Sequence, residues 1–255
     1  MVYNKEKVVK MAGHSKFKKI KHKKGAQDAK RSNTFTKLIR EIIVAAKVGD
    51  SNPEFNPRLR TAIIAAREEN MPKDKIDSAI KKATSNDPDT QYEEVRYEGY
   101  GPAGTALIVE GLTDNRNRTA SEIRTIFGKN GGHLAESGSV SYMFKRIGYV
   151  IYEKDSVKSG DEFLNSVLES GADDCIEHDD CYEVVCQQES FHSAKDYLEK
   201  AFGEPAQAKI EWRTDNMVQL TGEDIAKAAK LLDALHDNDD VQSVSCNFEI
   251  EEDEE

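Results

Sequence analysis

The chain has 255 residues, of which 38% are hydrophobic and 33% are charged, with a formal net charge of −11. This length predicts two or three domains, and no run approaches the roughly 18 consecutive apolar residues of a transmembrane helix. The N-terminus lacks the apolar run of a signal peptide, and the four cysteines form no CxxC pair. We therefore expect a cytoplasmic protein with reduced thiols and no membrane partner.

The charge is distributed very unevenly along the chain. Residues 1–50 contain 14 Lys/Arg against 4 Asp/Glu, residues 51–150 contain 14 of each, and residues 151–255 contain 8 against 29. This polarity predicts a chain that presents its basic end to a polyanion and keeps its acidic half away from it.

The first elements are predicted to be a short extension, residues 1–10, and a basic helical domain, residues 11–85. Within that domain, residues 11–24 contain too few apolar side chains to build a core. That run is therefore predicted to be an arm or a helix that lies on the surface.

Three helices follow in the same domain. Apolar residues recur at helical spacing from Phe35 to Ala46, with Ser32 or Asn33 as the predicted cap. The second helix is predicted to start at Asn56-Pro57, a cap followed by a proline in the first turn. The third is predicted to start at residues 71–74. Residues 85–90 are predicted to be a linker because of their own composition.

The rest of the chain alternates strands and helices. From residue 147 to 218 the order is β-α-β-β-α-β, which is typical of the ferredoxin-like fold. The flanking segments, 92–146 and 219–250, are predicted to pair as one discontinuous α+β domain. They contain predicted strands at 105–111, 139–144 and 241–248 and helices at 119–129 and 223–235. An acidic tail, 251–255, ends the chain. The predicted fold class is thus α+β: a small N-terminal helical domain, then two α+β domains, one ferredoxin-like and inserted into the other.

The basic N-terminal domain is the first candidate for function. Between Lys16 and Arg40, ten cations are opposed only by Asp28, which predicts salt-sensitive contacts with phosphates. No groove-reading helix is evident, so recognition of backbone and shape, as in RNA, is favoured over reading of a DNA sequence. The alternative is a charged, solvated surface without a ligand. The predicted nucleic-acid-binding residues are His14, Lys16, Phe17, Lys18, Lys19, Lys21, His22, Lys23, Lys24, Lys30, Arg31, Lys37, Arg40, Arg58 and Arg60.

A second candidate is the start of the helix near residue 115. Asp114 or Asn115 is the predicted cap, which places Arg116 and Arg118 in the first turn, where cations oppose the helix dipole. This favours an anion site formed by Asn115, Arg116 and Arg118. The equally weighted alternative is that neighbouring carboxylates neutralise the arginines: Glu110, Asp114 or Glu122.

The remaining motifs predict structure rather than chemistry. The glycines and proline of residues 97–104 favour a structural turn over a phosphate cradle. Cys175, His178, Cys181 and Cys186 include the residue types of a zinc site, but Cys186 falls in a predicted strand, so buried small side chains are favoured. We predict no metal, no cofactor and no catalysis. A remote alternative, by fold analogy, is an acyl-phosphate enzyme or sensor at the predicted anion site.

Several motifs in fixed order resemble the YebC/PmpR family, which also includes the mitochondrial translational activator of cytochrome c oxidase. They lie at residues 11–16, 20–22, 35–42, 56–60, 70–73, 97–102, 113–119 and 138–140, and the resemblance covers essentially all of 11–249. It implies three domains, the first helical and the others α+β, in a cytoplasmic protein without known catalysis. Phe17 stands where the family usually has Trp, and Ala103 where it usually has Gly.

The resemblance implies either a DNA-binding transcriptional regulator or a ribosome-associated factor that helps translation. Because the basic segment lacks a groove-reading helix, we favour a factor that associates with the ribosome through rRNA, with DNA binding as the alternative. The acidic C-terminal half is expected to contact basic ribosomal proteins, and a monomer is expected.

Overall fold

The structure, a computed structural model, describes residues 27–85 and 91–249, with side chains from 32 to 85 and from 91 to 248. The described residues divide into two compact units: one combines those up to Tyr142 with those from Asp215 onward, and the other is Met143–Thr214. The predicted extension, arm and acidic tail, and residues 86–90 of the linker, lie outside the described residues. Within the described ranges, no helix is both long and apolar enough to cross a membrane.

The first unit begins with three helices, as predicted: α1 (Gln27–Val48), α2 (Pro57–Glu68) and α3 (Lys73–Thr84). They pack around a common core that includes Ile42 and Leu59. We call this part the helical domain. The size of the core explains why these helices are stable, since each contributes an apolar face that no single helix could bury alone.

The predicted capping residue is right for the start of α2 and wrong for the start of α1. The Asn56 side chain caps α2, because its Oδ1 accepts a hydrogen bond from the Leu59 N–H at 3.0 Å. The predicted cap at Ser32 or Asn33 is wrong, because α1 already runs through both residues. Asn33 instead uses its side chain in a tertiary contact described below.

The rest of the first unit is an α+β domain, which we call the middle domain. Its elements are β1 (Glu93–Tyr100), β2 (Ala106–Thr113), α4 (Arg116–Lys129), β3 (His133–Leu134), β8 (Val218–Gln219), α7 (Glu223–His236), β9 (Val241–Cys246) and β10 (Phe248–Glu249). The antiparallel sheet has the order β3-β1-β2-β9, and α4 and α7 share a core with β2 and β9. A separate parallel pair joins β8 to β10.

Two sequence predictions in the middle domain are wrong. Residues 97–100, predicted as part of a loop, belong to β1, a central strand, and only 101–105 form the turn. The predicted strand at 139–144 is replaced by a short 3₁₀ turn, Ser141–Met143. The second difference has a direct cause: the N–H groups of Val140 and Ser141 donate to the side chain of Glu98 instead of to a neighbouring strand.

The second unit has the ferredoxin-like order of elements and of strands. Its elements are β4 (Lys145–Glu153), α5 (Gly160–Glu169), β5 (Asp174–Glu177), β6 (Cys181–Gln187), α6 (Phe191–Phe202) and β7 (Gln207–Arg213). The antiparallel sheet has the strand order β5-β6-β4-β7, and the two helices bury Phe163, Phe191 and Leu198 in the core. The predicted α+β fold class is confirmed.

Candidate functional site

The predicted nucleic-acid-binding residues fall into three groups. One group lies outside the described residues: His14, Lys16, Phe17, Lys18, Lys19, Lys21, His22, Lys23 and Lys24. Lys30 and Arg31 lie in α1, where only the backbone is described. The structure shows the environments of the others, namely Lys37, Arg40, Arg58 and Arg60.

Lys37 contacts the C-terminal end of a helix in the middle domain. Its Nζ donates to the His236 carbonyl at 2.6 Å, and one turn earlier on α1 the Asn33 Nδ2 donates to the Asp237 carbonyl at 2.7 Å. The last carbonyls of a helix have no partner within it and carry partial negative charge. Lys37 therefore satisfies the end of α7 and fastens the helical domain to the middle domain.

Arg40 extends the same contact. One guanidinium nitrogen, NH1, donates to the Asp240 Oδ1 at 2.7 Å and to the Asp239 carbonyl at 2.5 Å. Its side chain is mostly buried, and that of Asp240 is only 4% exposed. Charge-assisted bonds of this kind are stronger than neutral ones, so Arg40 is a structural cation at the junction of the two domains.

The second oxygen of Asp240 is held by the middle domain itself. Its Oδ2 accepts from Arg118 NH2 at 2.8 Å and from Thr119 Oγ1 at 2.5 Å. Burial raises the pKa of Asp240, but the hydrogen bonds from Thr119 and Arg118 and the charges of both arginines outweigh burial, so the pKa lies below its usual value. Asp240 is therefore an ionised carboxylate between two guanidiniums.

A glycine makes room for the backbone of Asp240. The Leu112 N–H donates to the Asp240 carbonyl at 2.8 Å. A Cβ atom at Gly111 would lie 2.5 Å from that same carbonyl oxygen, which is too close for any side chain without a backbone shift. Gly111 therefore allows β2 to approach the turn that carries Asp240.

Of the predicted anion-site residues, Arg118 reaches this junction. Asn115 is the cap of α4, because its Oδ1 accepts from the Arg118 N–H at 3.1 Å. Arg118 contacts the Asp114 carboxylate at 2.8 Å as well as Asp240. Arg116 lies 3.7 Å from the Glu93 carboxylate. Carboxylates of the protein therefore lie against both arginines, and the most buried of them, Asp240, is one that sequence reasoning did not name.

Arg58 is likewise engaged within the protein. Its Nε and NH2 form a fork on the two oxygens of Glu41, at 2.7 and 3.1 Å, and its NH1 donates to Glu94 at 2.7 Å. The hydrogen bond to Glu41 is the largest of the effects that raise the pKa of Arg58. Because Glu94 lies on β1, Arg58 is a second tie between the helical and middle domains. Arg60 also has an interaction partner.

A second carboxylate missed by sequence reasoning is Glu98. It is 2% exposed and accepts backbone hydrogen bonds from Gly138, Val140 and Ser141 at 3.0, 2.9 and 2.9 Å. Burial raises its pKa, but these three N–H donors outweigh burial and hold the pKa below its usual value. A glutamate between Tyr97 and Gly99 gives no sequence signal for this role.

The cysteine-rich segment of the second unit does not gather its side chains. Cys181 and Cys186 are five residues apart on β6, so alternation places them on opposite faces of the sheet. Burial, followed by nearby carboxylates, raises the pKa of the Cys175 and Cys181 thiols to about 11, as is typical of unreactive cysteines. Over residues 27–85 and 91–249, no three His, Cys, Asp or Glu residues cluster as metal ligands would.

Comparison with known proteins identifies the family. The N-terminal domain of the TACO1/YebC protein matches residues 15–86, and the TACO1/YebC second and third domain matches residues 92–248. This chain belongs to the TACO1/YebC family. It is a family of regulatory proteins, generally of the transcriptional-regulator type.

A solved structure agrees with this membership. The crystal structure of a conserved hypothetical protein, Aq1575, from Aquifex aeolicus is 47% identical to the chain, with a TM-score of 0.78. The match covers 92% of this chain and 97% of that one.

Proposed function

We propose that this member of the TACO1/YebC family is a nucleic-acid-binding regulator of gene expression that associates with the ribosome through rRNA. The observation that carries the proposal is the excess of ten cations over one acid between Lys16 and Arg40. Each phosphate contact releases a counterion, so such a segment binds RNA with high salt dependence.

The contacts between the helical and middle domains support different roles for different cations of this segment. Lys37 and Arg40 face the middle domain and contact His236 and Asp240. This face of α1 is therefore covered by the protein itself and is not presented to a DNA groove as a recognition helix would be. The contact with RNA is assigned to the cations that precede Lys37, and Lys37, Arg40 and Arg58 are assigned to the scaffold.

Binding to DNA is the second candidate, and the observation that favours it is the transcriptional-regulator type of the family. A regulator of promoters must prefer its site over competing DNA by a factor of roughly 10³ or more at physiological salt. Competition binding with random DNA tests this requirement directly, since a ratio near one excludes a promoter-specific role.

The deciding experiment is sedimentation of lysate through sucrose gradients over a salt series, with and without RNase. The test variant replaces Lys18, Lys19, Lys21, Lys23 and Lys24 by Ala. The control removes the same charge from exposed lysines elsewhere: Lys73, Lys82, Lys129, Lys158 and Lys230.

We expect the wild type and the control to migrate with ribosomes at low salt and to be released at high salt or by RNase. The five-lysine variant should stay at the top of the gradient. Its affinity for an isolated rRNA fragment should also show a salt slope smaller by up to about 3.5 to 4.5. Equal migration of the two variants would contradict the rRNA anchor, and absence of the wild type from ribosomes at every salt would favour the DNA alternative.

A further inference from the structure

Helix α5 of the second unit carries apolar side chains on two sides. Phe163 and Val167 are buried in the core. Leu164 and Leu168, one turn apart, are exposed, and Leu168 has 78% of its surface accessible. A single exposed leucine is ordinary, but two at positions i and i+4 form a stripe on the helix surface.

A tyrosine from the neighbouring helix lies at the other side of the same surface. The Tyr197 hydroxyl donates to the Glu169 carboxylate at 2.6 Å, which holds the exposed ring near the end of α5. Successive helix positions differ by about 100°. Glu169 and Leu168 therefore lie on either side of the line on α5 that points directly away from the core. The leucine stripe and Tyr197 therefore flank one exposed helix face, which we call the α5 face.

The charge of the α5 face selects the kind of partner. The helix contains three acidic residues, Asp161, Glu162 and Glu169, all exposed, and no Lys or Arg. The whole second unit has 16 Asp/Glu against 8 Lys/Arg. Such a surface repels nucleic acid and attracts basic protein segments.

We propose that the α5 face binds a basic amphipathic segment of another protein. Apolar side chains of that segment cover Leu164 and Leu168, and its Lys or Arg side chains pair with the three carboxylates. This goes beyond the proposed rRNA contact and develops the expectation that the acidic C-terminal half contacts basic proteins, and its test does not involve RNA.

The test uses the full chain, freed of RNA, and a fluorescent peptide of about 18 residues made of Leu and Lys, with the leucines at helical spacing. A second peptide has the same composition with the leucines scattered around the helix. Binding is followed by fluorescence anisotropy, and amide hydrogen exchange locates the contact. The test variant is Leu168→Lys. The control is Val48→Lys on the helical domain, because Val48 is also 78% exposed and the charge change is identical.

We expect the patterned peptide to bind more tightly than the scattered one and to protect amides of α5. Leu168→Lys should weaken binding by about tenfold or more, the effect of losing one buried leucine contact, while Val48→Lys should not. Equal binding of the two peptides would show attraction by charge alone and overturn the proposal, as would equal weakening by the two variants.

A second copy of this chain is the other partner that could cover the α5 face, and the same variant tests it. Concentration-dependent dimerisation that disappears in Leu168→Lys would assign the α5 face to a second copy and overturn the proposal. Equal migration of the five-lysine variant and its control would overturn the rRNA proposal and leave the peptide result untouched, so the two proposals fail separately.

Discussion

Asp240 and Glu98 are both buried carboxylates of the first unit, but different parts of the chain hold them. Asp240 is bound by side chains from α1 and α4, and its partner Arg40 is 200 positions away. Glu98 is bound by three N–H groups of a single loop, residues 138–141. The comparison teaches that one ion fastens two domains to each other, whereas the other fixes the course of a loop.

Removing the charge of Asp240 is expected to have the largest effect. Asp240→Asn leaves Arg40 mostly buried without its counter-ion, so the free energy of unfolding should fall by about 2–4 kcal/mol. That is less than for a fully buried pair, because Arg118 is partly exposed. Urea denaturation measures the loss, and hydrogen exchange should show faster exchange in α1. Asp239→Asn is the control, since Asp239 is exposed and its side chain forms no bond to Arg40. An equal loss in both variants would refute the role of the Asp240 carboxylate.

Neutralising Glu98 should have a smaller and more local effect. Glu98→Gln replaces one acceptor oxygen by an NH₂ group that faces N–H donors, which should cost about 1.5–3 kcal/mol. The amides of Val140 and Ser141 should lose protection from exchange while those of α1 keep it. Glu93→Gln on the exposed part of β1 serves as the matched charge control. Loss of protection in α1 instead would contradict the conclusion that Glu98 acts only on the loop at residues 138–141.

Acidification tests both carboxylates together. Each has a folded-state pKa below its usual value, so its contribution is complete above the unfolded pKa, about 4 for these side chains. That contribution is lost as pH falls through the folded pKa. Denaturation midpoints should therefore fall from about pH 5 downward, and the fall should be shallower in Asp240→Asn and in Glu98→Gln. An unchanged acid slope in both variants would contradict the assigned shifts.

The smallest expected effect concerns backbone strain in the turn that follows β1. Ala103, where the family usually has Gly, adopts φ 55° in the turn after β1. Left-handed backbone is costly for alanine, so Ala103→Gly should raise the free energy of unfolding by about 0.5 kcal/mol, the strain relief less the added entropy of the unfolded chain. Ala226→Gly, in the exposed part of α7, should have the opposite sign. Destabilisation by both would show that the turn is not strained.

The parts of the fold that the sequence predicts well depend on local chemistry. The cap-proline pair at Asn56-Pro57 starts α2, and Asn115 caps α4, because the capping oxygen and the N–H that it accepts from are three residues apart. The order of elements in the second unit follows from periodicity alone, and it is enough to predict the ferredoxin-like arrangement.

The parts that the sequence predicts badly depend on partners far along the chain. The glycines and proline of residues 97–104 favour a turn, yet residues 97–100 belong to β1, where Glu98 is buried although glutamate seldom is. Burial is tolerated here only because three N–H groups some 40 positions away donate to its carboxylate. Those same bonds remove the strand that was predicted at 139–144.

By itself the sequence determined the charge polarity, the three helices of the N-terminal domain, the α+β class and the family, because each is written in residues that are close together or in motifs of fixed order. Only the tertiary structure decided which cations pair with other groups of the protein. Lys37, Arg40 and Arg118 are indistinguishable by sequence from cations that face solvent. Their roles are set by helix ends and by Asp240, groups more than a hundred positions away, and electrostatic pairing depends on distance in space, not along the chain.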